Sequence, residues 1–254
     1  MRADTVTDQL ARVGPAPTTI SPAQRTAARL IGVLYPLQMA TGIFGELFAR
    51  GRLIVREDAA RTAENIIGAE GLFRLSIVTD LVTYILVMVL TWALYVLLRP
   101  VNRNLALLGA FFRLSELAVL CLATVNSLVV LRLLGGAAYL KTFEPGQLRS
   151  LVMLAYDTQG LGMSVGFVLL GLGSSVFAYL LLKSGYVPKT LAGLGIIGAL
   201  LLSIGTLAII IFPGLGAMGM AYMMPMGLYE VGLGFWLLIK GIRQPAPGQQ
   251  GATA

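Results

Sequence analysis

Six long apolar runs constrain this chain more than any other feature. Each has about the 20 residues that an α-helix needs to cross the hydrocarbon core of a bilayer. They lie at about 28–49, 72–98, 105–130, 148–182, 191–212 and 218–239. Because backbone polar groups cannot stay unpaired in lipid, runs of this length are expected to span as helices. The sequence therefore predicts an all-α, polytopic transmembrane helical bundle with about six spanning helices.

Composition agrees with this prediction and excludes several classes of function. Of the 254 residues, 57% are hydrophobic and 12% are charged, whereas soluble domains average about 25% charged residues. The formal net charge is +7; beside apolar helices, such an excess serves topology and contact with anionic headgroups. The predicted partner is therefore the lipid bilayer and no nucleic acid.

The chain contains no histidine and one cysteine, Cys121. This excludes disulfides, Cys/His zinc sites and nucleophiles that need a histidine base. Cys121 lies inside the third apolar run, where it is expected to be a small buried apolar side chain. We predict no cofactor and no dedicated metal site.

The predicted organisation is one domain with two tails. Residues 1–24 are expected to form a flexible tail and not a removable signal peptide. Residues 25–241 form the single transmembrane helical domain, and 242–254, rich in Gln, Pro, Gly and Ala, are expected to be disordered. Residues 56–70 have one apolar and one charged side, which predicts an amphipathic interfacial helix. The polar cluster at 157–160 predicts a bend or a surface-lying first part in the fourth apolar run.

Arg113 and Glu116 are the most informative charged residues, because they lie about halfway along an apolar run. A charged side chain at mid-bilayer costs on the order of 3 kcal/mol, so it usually faces protein or a wet cavity. The two residues are three apart and can neutralise each other on one helix face. They form either a structural ion pair or the orienting pair of a ligand site.

Other polar residues in the spans are candidates for the same cavity. Glu230 lies between glycines without a local cation; at mid-membrane it is either protonated or paired with Arg113. Asp80 and Asp157 lack an opposite charge in their own helices, whereas Glu46 can also extend its carboxylate to the interface. The predicted substrate- or ion-binding residues are Glu230, Asp80, Asp157, Arg113, Glu116, Glu46, Tyr84 and Gln159.

The connectors on the side of both termini, RPVNRN and KSGYVPK, are basic and contain no acid. This asymmetry predicts that both termini are cytoplasmic.

Four segments resemble a known family. They are REDAARTAENIIGAEGLFRL, LLRPVNRNLALLGAFFRLSE, YLLLKSGYVPKTLAGL and YEVGLGFWLLIKG. Together they resemble the bacterial membrane family called domain of unknown function 4386, over about residues 25–241. The resemblance implies a multi-pass protein of the bacterial cytoplasmic membrane and supplies no reaction.

The leading functional hypothesis is not enzymatic. It is the binding or translocation of a small polar solute, an ion or a lipid headgroup in a polar intramembrane cavity, with Glu230 and Asp80 as protonatable groups. One alternative is an intramembrane enzyme that acts on lipid through Asp80, Asp157 and a divalent cation. Another is a structural membrane partner protein whose buried charges fix helix register.

Overall fold

A computed structural model describes residues 20–218 and 221–243, and its regular structure in these ranges is entirely helical. Residues 1–19 and 244–254, which hold nearly all of the two predicted tails, lie outside the described residues. The main helices are α1 (Pro22–Ile43), α2 (Ala59–Gly68), α3 (Glu70–Leu98), α4 (Arg103–Leu134), α5 (Pro145–Ser184), α6 (Lys189–Ile211) and α7 (Met224–Ile239). Helix α1 continues through a π-helical segment, Phe44–Arg50, and a last turn, Gly51–Leu53.

Six helical stretches are long and apolar enough to cross a membrane. They are Pro22–Leu53, Glu70–Leu98, Arg103–Leu134, Pro145–Ser184, Lys189–Ile211 and Ala221–Ile239. The predicted all-α bundle of about six spanning helices is confirmed. The amphipathic helix α2 forms between the first two spans, where Ala63 and Ile66 are buried and Ile67 is exposed.

The bundle has an apolar core, exposes many further large apolar side chains on its surface, and buries several charges. Leu122 is 71% exposed and Ile85 63% exposed, whereas Arg50 and Arg113 are 2% and 3% exposed. An apolar surface of this extent cannot remain in water without association, and lipid is the environment that matches it. The two buried guanidinium groups therefore mark where polar chemistry is concentrated.

Close packing of α5 on α4 brings the second of these arginines into a tight helix interface. A Cβ added at Gly173 would lie 3.0 Å from Arg113 Cγ and 3.1 Å from the Gly109 carbonyl oxygen, and one added at Gly166 would lie 2.8 Å from Leu120 Cδ2. Small residues let spanning helices approach closely, since lipid provides no hydrophobic force to hold them together. The glycines of α5 thus enclose the charged centre of α4.

Three sequence expectations are wrong. Helix α5 is one continuous α-helix through 157–160, and the polar Thr158 is accommodated there because its hydroxyl donates to the Leu154 carbonyl of the same helix at 2.7 Å. Helix α7 begins at Met224, six residues later than predicted, after two 3₁₀ turns. Cys121 is exposed and not buried, since it lies on the outward face of α4.

Candidate functional site

Arg50 is the most heavily bonded charged residue of the described chain. Its Nη1 donates to Glu46 Oε2 at 3.0 Å and to Asp80 Oδ1 at 3.2 Å, and its Nη2 donates to Asp80 Oδ2. Glu46 is one turn earlier in the first span, whereas Asp80 belongs to α3. The planar guanidinium group holds Asp80 in a bidentate pair, the strongest geometry for this interaction. We call Glu46, Arg50 and Asp80 the Arg50 cluster.

The backbone around Arg50 is built to bring these groups together. Residues Phe44–Arg50 form a π-helix, in which the Gly51 N–H donates to the Glu46 carbonyl. Such segments are rare and are frequent at functional sites. Gly45 lies against α3, where an added Cβ would be 2.9 Å from Thr79 Oγ1 and 3.4 Å from Asp80 Oδ1. The glycine therefore permits the helix approach on which the Arg50–Asp80 pair depends.

A cleft of about 440 Å³ opens beside the Arg50 cluster. Its polar lining comes from the first span, the segment after it and α5; it consists of Glu46, Arg50, Arg56, Tyr156, Asp157, Gln159 and Ser164. Asp157 and Arg56 are both exposed, and neither forms an ion pair with another described residue. Asp80 stands behind Arg50 and does not line the space. We call this space the Asp157 cleft.

Two hydrogen bonds fix the side chains of Gln159 and Tyr84 against α4. Gln159 is buried, and its Oε1 accepts from Ser127 Oγ of α4. The hydroxyls of Tyr84 and Thr124 lie 2.9 Å apart and join α3 to α4. Each bond gives a polar group inside the bundle a partner from a neighbouring helix, which such groups require.

The second charged centre lies deeper along α4. Arg113 Nη1 and Glu116 Oε2 are 2.8 Å apart and each residue is 3% exposed, but neither atom has a partner with hydrogen-bond alignment among the described residues. Glu230 of α7 is partly buried within electrostatic range of both residues. This centre is separate from the Tyr84–Thr124 contact, because Thr124 is eleven residues beyond Arg113 on α4, which is about 16 Å at a rise of 1.5 Å per residue. We call Arg113, Glu116 and Glu230 the Arg113 cluster.

The predicted site residues thus occupy two places. Glu46, Asp157 and Gln159 line the Asp157 cleft, with Asp80 and Tyr84 close behind it. The other three form the Arg113 cluster. Within the described ranges, no three Asp, Glu or Cys side chains are close enough to hold a metal ion. Asp80 forms an ion pair with Arg50, and of the two acids in the carboxylate-and-metal hypothesis it is Asp157 that lines the cleft.

Sequence reasoning missed Arg50, Arg56, Thr124 and Ser127. Arg50 had a usable signal, because Glu46 and Arg50 have the four-residue spacing of a helical ion pair. Asp80 lacked a cation in its own helix, which also pointed to a partner from another helix. The hydroxyl partners carried no signal, since serine and threonine are common in spanning helices without such a role.

Comparisons with known proteins identify a family but no activity. A family model described as "Domain of unknown function (DUF4386)" matches residues 30–241. An uncharacterized protein of Archaeoglobus fulgidus is 29% identical over 170 residues, which are 65% of this chain and 83% of that protein. No solved structure matches the chain significantly.

Proposed function

Because the chain belongs to the DUF4386 family, whose function is unknown, we propose from its geometry that it binds a small zwitterionic solute or headgroup in the Asp157 cleft. The observation that carries the proposal is a polar cleft with an exposed acid, Asp157, and an exposed base, Arg56, at the end of membrane-spanning helices. A ligand with one positive and one negative group complements both. Electrostatic complementarity of this kind provides specificity more than affinity.

The Arg50 cluster has a supporting role in this proposal. Arg50 is neutralised by Asp80 and Glu46, so it positions the carboxylate of Glu46 at the cleft wall and adds little free positive charge. The side chain of Glu46 is 36% exposed, and it can accept from a ligand ammonium group together with Asp157. The cation of the ligand therefore lies between two acids, and its anion lies toward Arg56.

The cellular setting is part of the same proposal. Six crossings return the chain to the side on which it began, and the connectors on that side are basic. We place both termini in the cytoplasm of a bacterial cell and the protein in its cytoplasmic membrane. The Asp157 cleft then opens on the external side.

Binding is tested with defined zwitterions. The purified protein in neutral detergent is heated with phosphoethanolamine or glycine betaine, and with choline chloride and sodium phosphate as singly charged controls. A ligand at a hundred times its Kd stabilises the folded state by about 2.7 kcal/mol, which appears as a higher melting temperature. We expect a zwitterion to exceed both controls.

Matched variants locate the effect. Asp157→Asn and Arg56→Gln remove the two exposed charges of the cleft that form no ion pair with another described residue, and we expect each to abolish the zwitterion-dependent shift. Glu57→Gln and Arg52→Gln remove the same charges from exposed neighbours that do not line the cleft. If all four variants keep the shift, or if no zwitterion stabilises the wild type, the proposal is wrong.

Translocation is a second candidate, favoured by the Arg113 cluster. Its two acids outnumber its one base, so a proton or another cation is needed for neutrality in the low-dielectric interior. In liposomes with a pH-sensitive dye and an imposed potassium diffusion potential, the wild type is then expected to carry protons. Glu230→Gln abolishes this flux while the protein stays folded, whereas a flux equal to that of empty liposomes excludes the candidate.

A further inference from the structure

Among the residues that the structure describes, the end of the bundle opposite the Asp157 cleft carries basic side chains and no acidic ones. Eight basic residues lie there, and residues 20–35, 90–112, 175–200 and 232–243 contain no acid. The eight are Arg25, Arg29, Arg99, Arg103, Lys183, Lys189, Lys240 and Arg243. We call this region the basic end. Membrane topology explains an excess of positive charge at this end without any ligand, so a specific site requires a further observation.

That observation is a pocket of about 200 Å³ between the start of α1 and the segment that follows α7. Arg25, Ala28 and Arg29 form one wall, and Gly241 and Ile242 form the other. Each liquid water occupies about 30 Å³, so the volume accepts a group as large as a tetrahedral phosphate with part of its ester. Within the described ranges, the charged side chains that line it are the two arginines.

Arg25 and Arg29 are one helical turn apart on the same face of α1. Two like charges at this spacing repel each other unless an anion lies between them. Neither arginine forms an ion pair with a residue of the described ranges. The positive start of α1 and the negative end of α7 both adjoin the pocket, and their dipoles offset each other. The two arginines therefore make the electrostatic potential of the pocket positive.

The two walls of the pocket are held by one residue, Tyr186. Its hydroxyl accepts from Gln24 Nε2 at 2.9 Å, and its carbonyl accepts from the Arg243 N–H at 2.9 Å. Gln24 also closes the capping box with Ser21 that begins α1, and Gly241 has a φ of +67°, which turns the chain after α7. Both walls are thus fixed before a ligand arrives, which lowers the entropic cost of binding.

From the pocket, its two arginines and the basic side chains that surround it in the described part of the chain, we propose that the basic end binds the phosphate of an anionic phospholipid in the adjacent leaflet. Arginine suits this role because its planar donors match phosphate oxygens. Basic pockets between spanning helices are typical of sites for acidic headgroups. A soluble phosphate would present the same anion, so the experiment distinguishes the two sources. This site is independent of the Asp157 cleft.

The test measures lipid binding to the full chain purified in neutral detergent. Phosphatidylglycerol is titrated against phosphatidylcholine, and inorganic phosphate is the soluble probe. We expect the wild type to prefer phosphatidylglycerol, and the Arg25→Gln/Arg29→Gln double variant to bind it about thirtyfold more weakly, as the loss of two basic contacts near a membrane surface implies.

The matched control is Arg99→Gln/Arg103→Gln, which removes two exposed arginines from the same end outside the pocket. It should keep most of the affinity for phosphatidylglycerol. An Arg25→Lys/Arg29→Lys variant retains charge and should bind within a fewfold of the wild type, which provides a folded comparison if the glutamine variant melts. Competition by inorganic phosphate that depends on the same arginines would assign the site to a soluble phosphate. Equal weakening in both glutamine variants, or no preference over phosphatidylcholine, would overturn the proposal.

Discussion

The two charged clusters neutralise a buried arginine in different ways. In the Arg50 cluster, the cation and one acid come from different helices, and both guanidinium Nη atoms are hydrogen-bonded to carboxylates. In the Arg113 cluster, the close pair lies within one helix, three residues apart, and its contact lacks hydrogen-bond alignment. The first arrangement joins helices, although Arg50 Nε has no partner among the described residues. The second neutralises a helix locally, and the two atoms of its closest contact lack an aligned hydrogen bond.

This difference indicates different roles. A bidentate pair between helices fixes their relative position, so we interpret the Arg50 cluster as the support of the Asp157 cleft wall. A buried pair whose closest contact lacks hydrogen-bond alignment can exchange partners, and the charge of Arg113 also acts on the partly buried Glu230. The comparison therefore predicts a large stability effect at Arg50 and a functional effect at Glu230.

The largest loss of stability is expected for Arg50→Met. It leaves Asp80 and Glu46 without their cation, and breaking a buried pair by removing one partner costs about 3 to 5 kcal/mol. Reversible unfolding in mixed micelles measures the change. Arg52→Met is the matched control, because Arg52 is exposed and contacts the Phe48 ring at 5.8 Å, a contact that contributes about 0.5–1 kcal/mol. Equal losses of unfolding free energy in Arg50→Met and Arg52→Met would contradict a structural role for Arg50.

Next in size is the effect at Arg113. Arg113→Met leaves Glu116 buried and unpaired and should cost about 3 kcal/mol, whereas replacement of a whole buried pair by apolar residues is often neutral. We therefore expect Arg113→Met/Glu116→Leu to be more stable than Arg113→Met alone. If the losses of stability measured for Arg113→Met alone and Glu116→Leu alone add up in the double variant, these residues do not act as a pair.

A smaller effect is expected where neutral groups join the helices. Gln159→Leu removes the acceptor of the Ser127 hydroxyl, which is fully buried, and a buried donor left unsatisfied costs about 1–3 kcal/mol. Ser164→Ala is the control, since that hydroxyl bonds only within its own helix. A loss at Ser164 as large as that at Gln159 would contradict the assigned contact.

The smallest stability effect is expected for Asp157→Asn. The residue is exposed and forms no ion pair within the described ranges, and such surface changes usually stay within about 0.5 kcal/mol. Its unfolding free energy should match that of the wild type while the zwitterion response is lost. A large destabilisation would instead make Asp157 a structural residue.

Most of the fold could be predicted from the sequence, because a spanning helix is a local property of about 20 residues. The Arg113–Glu116 pair could be predicted for the same reason, since its spacing is local. The Arg50–Asp80 pair could not, because it depends on which helices become neighbours and on a π-helical segment that no simple periodicity predicts. The outward position of Cys121 was missed because large apolar residues occur on both the lipid face and the protein face of α4, so an apolar neighbourhood along the chain does not distinguish the two faces.

The central claim is that polar groups of the spans meet a wet cleft while the exposed apolar face meets lipid. Cysteine labelling with a membrane-impermeant methanethiosulfonate reagent tests it directly, since the reagent needs a water-exposed thiolate. Cys121, exposed on α4, should stay unlabelled in intact cells, whereas Asp157→Cys in a Cys121→Ser background should be labelled from outside. Rapid labelling of Cys121, or an inert thiol at position 157, would contradict the account.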